Sequence, residues 1–304
     1  MKDKKINVGG QAVIEGVMMR GPEKYVVAAR NKKGIVYKKG NIPSTKNKFL
    51  KTPFVRGFVN LTDMMVIGIK SIIWSAQQAG ETDEKLGKNE ITITMLISVG
   101  AVIIFFIALP YFLTHLLGIT EEQKPILFNI VDGLIRITIF LVYIYAISLL
   151  KDVKVLFQYH GAEHMAIHCY EKEKKLDAKN VKKFTTLHPR CGTSFLLIVF
   201  IVSIFVFSIL PSLISHYYPN FANLNVWSRK GILFPVRILL IPFVAGISYE
   251  ILKVSDKKQN NVLFKLISMP GLWLQKITTK KPNSRQIEVA IYSLKKLLEI
   301  ENKK

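Results

Sequence analysis

Four apolar runs constrain this chain more than anything else in it, because each is long enough to cross a hydrocarbon core of about 30 Å. They are Ile91 to Leu117, Ile126 to Leu150, Ser194 to about Ser215, and Ile232 to Leu252. Asp132 and Arg136 lie inside the second run, and Pro235, Arg237, Pro242, Gly246 and Glu250 inside the fourth. A fifth stretch, Phe54 to Ala79, is apolar but broken by Arg56, Asp63 and Lys70, so it is predicted to lie along the interface as an amphipathic helix. With 50% hydrophobic and 21% charged residues concentrated in this way, the pattern is that of a multi-span membrane protein and not of a large soluble core. Two cysteines, Cys169 and Cys191, cannot staple 304 residues, which excludes a disulfide scaffold.

The net charge of +22 has a membrane explanation. Residues 1–58 hold 14 Lys/Arg against 3 Asp/Glu, the loop 151–192 holds 9 against 5, and the tail 253–304 holds 12 against 4. The connections 118–125 and 216–231 are short and carry few cations. By the positive-inside rule, the central loop and both termini are cytoplasmic, in the inner (plasma) membrane. The expected partners are then the bilayer and its anionic lipid head groups, with no role for nucleic acid. Met1 to Lys5 lead into polar sequence, so no cleavable signal peptide is expected.

The expected fold class is mainly α: a polytopic membrane protein with four transmembrane helices, a small N-terminal β-containing cytoplasmic segment and amphipathic interfacial helices. Residues 1–58 form the N-terminal segment, where Tyr25 to Ala29 and Ile35 to Lys39 flank a Gly-terminated turn as a β-hairpin. Residues 59–90 are the interfacial helix and linker, and 91–252 the four-span domain with its His-rich loop 151–192. Residues 253–304 are cytoplasmic amphipathic helices, with Ile287, Ala290, Ile291, Leu294 and Leu298 at helical spacing after an N-cap at Asn283 or Ser284. The segment Gly9 to Pro22 is glycine-rich and matches neither a phosphate loop nor a dinucleotide fingerprint; it reads as a structured loop or strand pair presenting Glu15 and Arg20.

The stretch His160-Gly161-Ala162-Glu163-His164 contains H-x-x-E-H, the reversed zincin motif. Residues four apart share a helix face, so His160 and His164 can address one ion with Glu163 beside them; His168 and Glu171 continue that face. The helix is expected to prolong the second span. His188 and Cys191 stand immediately before the third span, and four of six histidines fall within residues 160–188. The candidate ligands are therefore His160, His164, His168, His188 and Cys191, with Glu250 as a carboxylate ligand or a partner to a histidine; the alternative is a set of hydrogen-bonded structural histidines. The imidazole, thiolate and carboxylate donors suit a divalent metal, zinc foremost. Asp132 and Arg136 are expected to pair with each other.

Several of these blocks resemble the signatures of a known family. Gly9 to Arg20, Tyr159 to His164, His188 to Phe195, Ala245 to Glu250, Pro270 to Lys276 and Gln286 to Ala290 are similar to the YqhQ-like bacterial membrane proteins. The resemblance covers nearly the whole chain. It implies a membrane location and a domain of unassigned function that is often labelled a predicted metal-dependent enzyme. The leading expectation is a metal-dependent hydrolase with Glu163 as general base and Arg190 or Arg20 holding an anionic group. A non-enzymatic assembly or scaffold factor with a basic cytoplasmic face is the alternative, and a transporter lined by Asp132, Arg136, Arg237 and Glu250 a third.

Overall fold

The computed structural model describes residues 6–42, 52–53, 55–80, 88–121, 123–257 and 261–302. The charged start Met1 to Lys5 and the linker residues 81–87 lie outside that set.

The glycine-rich N-terminus folds with the hairpin that follows into one four-stranded antiparallel meander. Its strands are β1 (Gly9–Val13), β2 (Gly16–Arg20), β3 (Lys24–Asn31) and β4 (Gly34–Asn41). Val13 pairs with Gly16 around a two-residue turn in which Glu15 adopts φ 48°, the left-handed region. The second turn closes Asn31 on Gly34, whose φ of 136° only glycine tolerates comfortably. Both faces of the sheet are covered, which is why Val17-Met18-Met19 and Val26-Val27-Ala28-Ala29 read as continuous apolar runs and not as alternation.

One face, carrying Val17, Met19, Val26 and Ala28, packs on α5 (Lys151–Glu171) and α10 (Ser284–Glu301). There it meets Tyr159, Ala162, Met165 and Ala166 of α5 and Ile287, Ala290, Leu294 and Leu297 of α10. The other face, with Val13, Met18 and Val27, packs on Ile67, Met64 and Trp74 of α1 (Val55–Ala79). Of the two N-cap candidates, Asn283 caps α10, in a reciprocal capping box with Gln286.

Among the described residues, five helices are long and apolar enough to cross a membrane: Val55–Ala79, Thr92–Leu116, Pro125–Ile147, Gly192–Tyr217 and Ser228–Ser255. Thr92–Leu116 comprises the end of α2 (Lys88–Ile103), a π-helical turn at Ile104–Ala108 and α3 (Leu109–Leu116). The others are α1, α4 (Pro125–Ile147), α7 (Gly192–Tyr217) and most of α8 (Val226–Lys257). The short α6 (Ala178–Val181) and the amphipathic α9 (Val262–Thr278) complete the chain. Five helices of membrane length exceed the expected four, because the uncharged portions of α1 join into one unbroken 25-residue helix.

One expectation about the His-rich helix needs correction. It does not prolong α4: the chain turns at 148–150, Leu150 is extended (ψ 138°), and α5 starts anew at Lys151. Ser148 satisfies the helix end by donating its hydroxyl to the Tyr145 carbonyl. The break lets α5 leave the bundle and lie against the sheet.

Candidate metal centre

Three elements meet around α5: the loop before α7, the segment joining α9 to α10, and the β1–β2 hairpin. Gly161 permits the second contact, since a Cβ there would stand 2.2 Å from the Lys280 carbonyl oxygen. The Lys280 amide donates to the Phe157 carbonyl at 2.9 Å, fastening that segment to α5.

That approach fixes the first histidine. His160 Nδ1 is 2.8 Å from the Thr278 carbonyl oxygen. A carbonyl only accepts, so Nδ1 carries the proton and Nε2 presents its lone pair. Nε2 lies 3.2 Å from Cys191 Sγ. His164 repeats the device one turn on, its Nδ1 2.5 Å from the Thr186 carbonyl. One donor atom from each of His160, His164 and Cys191 falls within 4.8 Å of the others. Backbone carbonyls orienting imidazoles from behind are the arrangement metal-binding histidines use.

Electrostatics favour the ligand forms. Burial is the main cause that pulls the His164 imidazole below its usual range, keeping it neutral. Burial pushes the Cys191 thiol up, but hydrogen bonds from His164 and Thr193 more than reverse this and leave it below the ordinary thiol range. Imidazole nitrogens and an acidified thiol are a donor set that zinc prefers.

Glu163 faces the hairpin. Only 4% exposed, it packs where a Cβ on Gly10 would come within 2.9 Å of its carboxyl. Its Oε2 has no hydrogen-bond partner among the described residues. Burial chiefly, with Cys191 adding to it against the opposing pull of His160, raises its pKa to about 8.

A second group continues the row. His168, Glu171 and His188 also bring one donor atom each within 4.8 Å. Here the pattern is that of a hydrogen-bonded network: His168 Nε2 donates to the Leu187 carbonyl at 2.8 Å, and His188 Nδ1 accepts from the Arg190 amide at 3.2 Å. His188 Nε2 faces Glu171 Oε2 at 3.3 Å, and Arg190 pairs with the other oxygen of Glu171. The rings of His164 and His188 are 5.6 Å apart, so the groups adjoin.

The remaining candidates lie elsewhere. Glu250 belongs to neither group; it receives Arg56 in a bidentate pair at 2.6 and 2.8 Å, tying α8 to α1. Arg20 is within electrostatic reach of Asp63 and Tyr249. Glu15 accepts from the Tyr159 hydroxyl at 2.9 Å, pinning the hairpin turn to α5.

Sequence reasoning missed three contributors. Gln275, fully buried, accepts from the His188 amide at 2.7 Å and donates to its carbonyl at 2.8 Å. Gly10 and Gly161 make the room described above. The signals available were slight: a glutamine in an apolar helix, and a glycine inside a helical motif.

This fold and site define a class: a mainly helical chain with several helices of membrane length, whose sheet-centred body holds a buried histidine–cysteine cluster. The chain belongs to the family described as "Protein of unknown function (DUF1385)", whose pattern matches residues 52–300. It is 34% identical over 313 aligned residues to the "Uncharacterized protein YqhQ" of Bacillus subtilis (strain 168), covering 96% of this chain and 92% of that protein. No solved structure matches it.

Proposed function

We propose that this chain is an integral membrane protein of the inner (plasma) membrane that uses a zinc site on its cytoplasmic side for metal-dependent hydrolysis. The single supporting observation is the convergence of His160 Nε2 and His164 on Cys191 Sγ, with both imidazoles oriented by carbonyls on the far side. Glu163 and its unpartnered Oε2 stand beside that set.

His160, His164 and Cys191 would hold the ion, which supplies Lewis acidity that polarises a carbonyl or phosphoryl oxygen. Glu163 exchanges a proton at Oε2, its raised pKa placing that exchange near neutral pH, where general acid–base work is most efficient. The hairpin excludes bulk water from it. Arg190, adjacent to Cys191 and braced by Glu171, is the cation for an anionic substrate group.

In this reading α2–α3, α4, α7 and α8 are the four spans, and α1 lies at the interface. One side of α1 is committed to the sheet, while Met65, Val66, Ile69, Ile72 and Ile73 are exposed to lipid. The exposed stripe Val262, Leu266, Met269 and Trp273 seats α9 on the bilayer among anionic head groups.

Elemental analysis of detergent-purified protein tests the proposal. Wild type should carry close to one zinc per chain. His160→Ala or His164→Ala should lose about ten-fold or more of it, and Lys174→Ala none. Equal metal content in all four proteins would remove the enzyme reading and leave the basic body as a scaffold.

A further inference from the structure

The far end of the bundle holds a second polar site. Between α4, α7 and α8 lies a cavity of about 210 Å³ lined mostly by apolar residues, with Asp132, Arg136, Ser203 and Arg237 among the lining. Three buried polar atoms around it have no hydrogen-bond partner among the described residues: Asp132 Oδ1, Arg136 Nε and Arg237 Nε. Leaving such groups unmet in an apolar medium is costly, so the cavity is suited to an occupant that both donates and accepts.

Charge narrows the occupant. Arg136 already pairs with Asp132 at 2.8 Å, and Arg237 with Glu121 at 2.6 Å and the Asn129 side-chain oxygen at 3.2 Å. Each of these guanidinium groups is matched by a carboxylate. An added anion would leave uncompensated charge at membrane depth, whereas an uncharged hydroxyl or ester head would not. Lys230, a turn or more further out over the Tyr111 ring, does not line the cavity.

The way in is lateral. Phe234, Ile238 and Ile241 on the rim are half or more exposed, and in a membrane-spanning bundle that surface meets acyl chains and not water. We infer that this cavity binds the uncharged, hydroxyl-bearing head of a membrane lipid. A diacylglycerol-type head donates its hydroxyl to Asp132 Oδ1 and accepts from Arg136 and Arg237 Nε through ester oxygens. The inference rests on the bundle spanning the membrane and is independent of the zinc site at the other end.

Native mass spectrometry of the full chain in detergent micelles tests it with three probes: 1,2-dioleoylglycerol, dioleoylphosphatidylglycerol and methyl oleate. Dioleoylglycerol should bind one per chain, at least about ten-fold more tightly than the phosphate-bearing or hydroxyl-free probe. Ser203→Phe fills the cavity without touching an ion pair and should weaken dioleoylglycerol by a similar factor; Leu239→Phe, on the outer surface, should not. Retention of none of the probes would mean a water-filled cavity and overturn the inference. So would preference for phosphatidylglycerol, equal binding of methyl oleate, or indifference to Ser203→Phe. Zinc content measured on the same samples keeps the two sites apart, since a zinc-loaded chain without lipid fails this inference alone.

Discussion

A carboxyl buried without a partner is stable only when it holds its proton, and Glu163 is buried, its Oε2 unpaired among the described residues and its pKa raised to about 8. At neutral pH it is therefore mostly the neutral acid, for which glutamine is a close isostere. Glu163→Gln should keep the fold and hold zinc at wild-type content, yet lose about 10²- to 10⁴-fold in activity, which a complementation assay would register as loss of function. Zinc lost along with function would make Glu163 a ligand instead of a base. Full function in the variant would remove it from catalysis. The sign of its pH effect follows from the same burial. The native state binds the proton more tightly than the unfolded chain, so the stability this gives is present below about pH 4.5 and is lost progressively up to about pH 8.

Between elements, geometry depends on close backbone approach. Gly161→Ala would place a methyl 2.2 Å from the Lys280 carbonyl, forcing the α9–α10 segment outward and with it the Thr278 carbonyl that orients His160. The expected cost is about 1–3 kcal/mol in stability, read from denaturant unfolding. Zinc affinity should fall about 10- to 100-fold, because the oriented lone pair of His160 is lost. A variant with unchanged zinc affinity would show that Thr278 does not position the ligand. Much at this scale was legible beforehand: the hairpin, an N-cap for α10 at Asn283 or Ser284, and His160 and His164 on one face all follow from local spacing. What was not legible depends on distant backbone. The break at 148–150 contains no proline or glycine, and it arises because α5 gains more by burying Tyr159, Ala162 and Met165 on the sheet than by extending α4. Glu250 looked available as a ligand because nothing in its own segment reveals Arg56, which is 194 residues away.

Across the whole molecule, the basic segments gather at one end. The sheet, α5, α6, α10 and the histidine row form one body there, while the connections around Glu121 and Asn223 close the opposite end, where Arg237 of α8 pairs with Glu121. In the proposed topology, Lys33 in the β3–β4 turn, Lys175 before α6 and Lys296 on α10 share one face of the membrane. The proposed orientation puts that face in the cytoplasm, on the argument that cations resist translocation and the short connections carry few of them. Single cysteines at Lys33, Lys175 or Lys296 should resist an impermeant thiol reagent in intact cells and react after permeabilisation. Cysteines at the exposed Gln123 and Asn223 should react without it, and the native Cys169 and Cys191 are buried and give little background. Labelling at Lys175 from outside would invert the whole arrangement and carry the zinc site to the other side of the membrane. Labelling at both Lys33 and Gln123 would show instead that α1 crosses, which adds a fifth span and separates the sheet from the face that α10 occupies. The packing of Ser293 on β3, where its hydroxyl donates to the Val26 carbonyl at 3.1 Å, is the contact that such a crossing would have to break. The proposed four-span arrangement, with α1 at the interface, predicts the opposite labelling pattern and keeps the sheet, α10 and the histidine row on a single side.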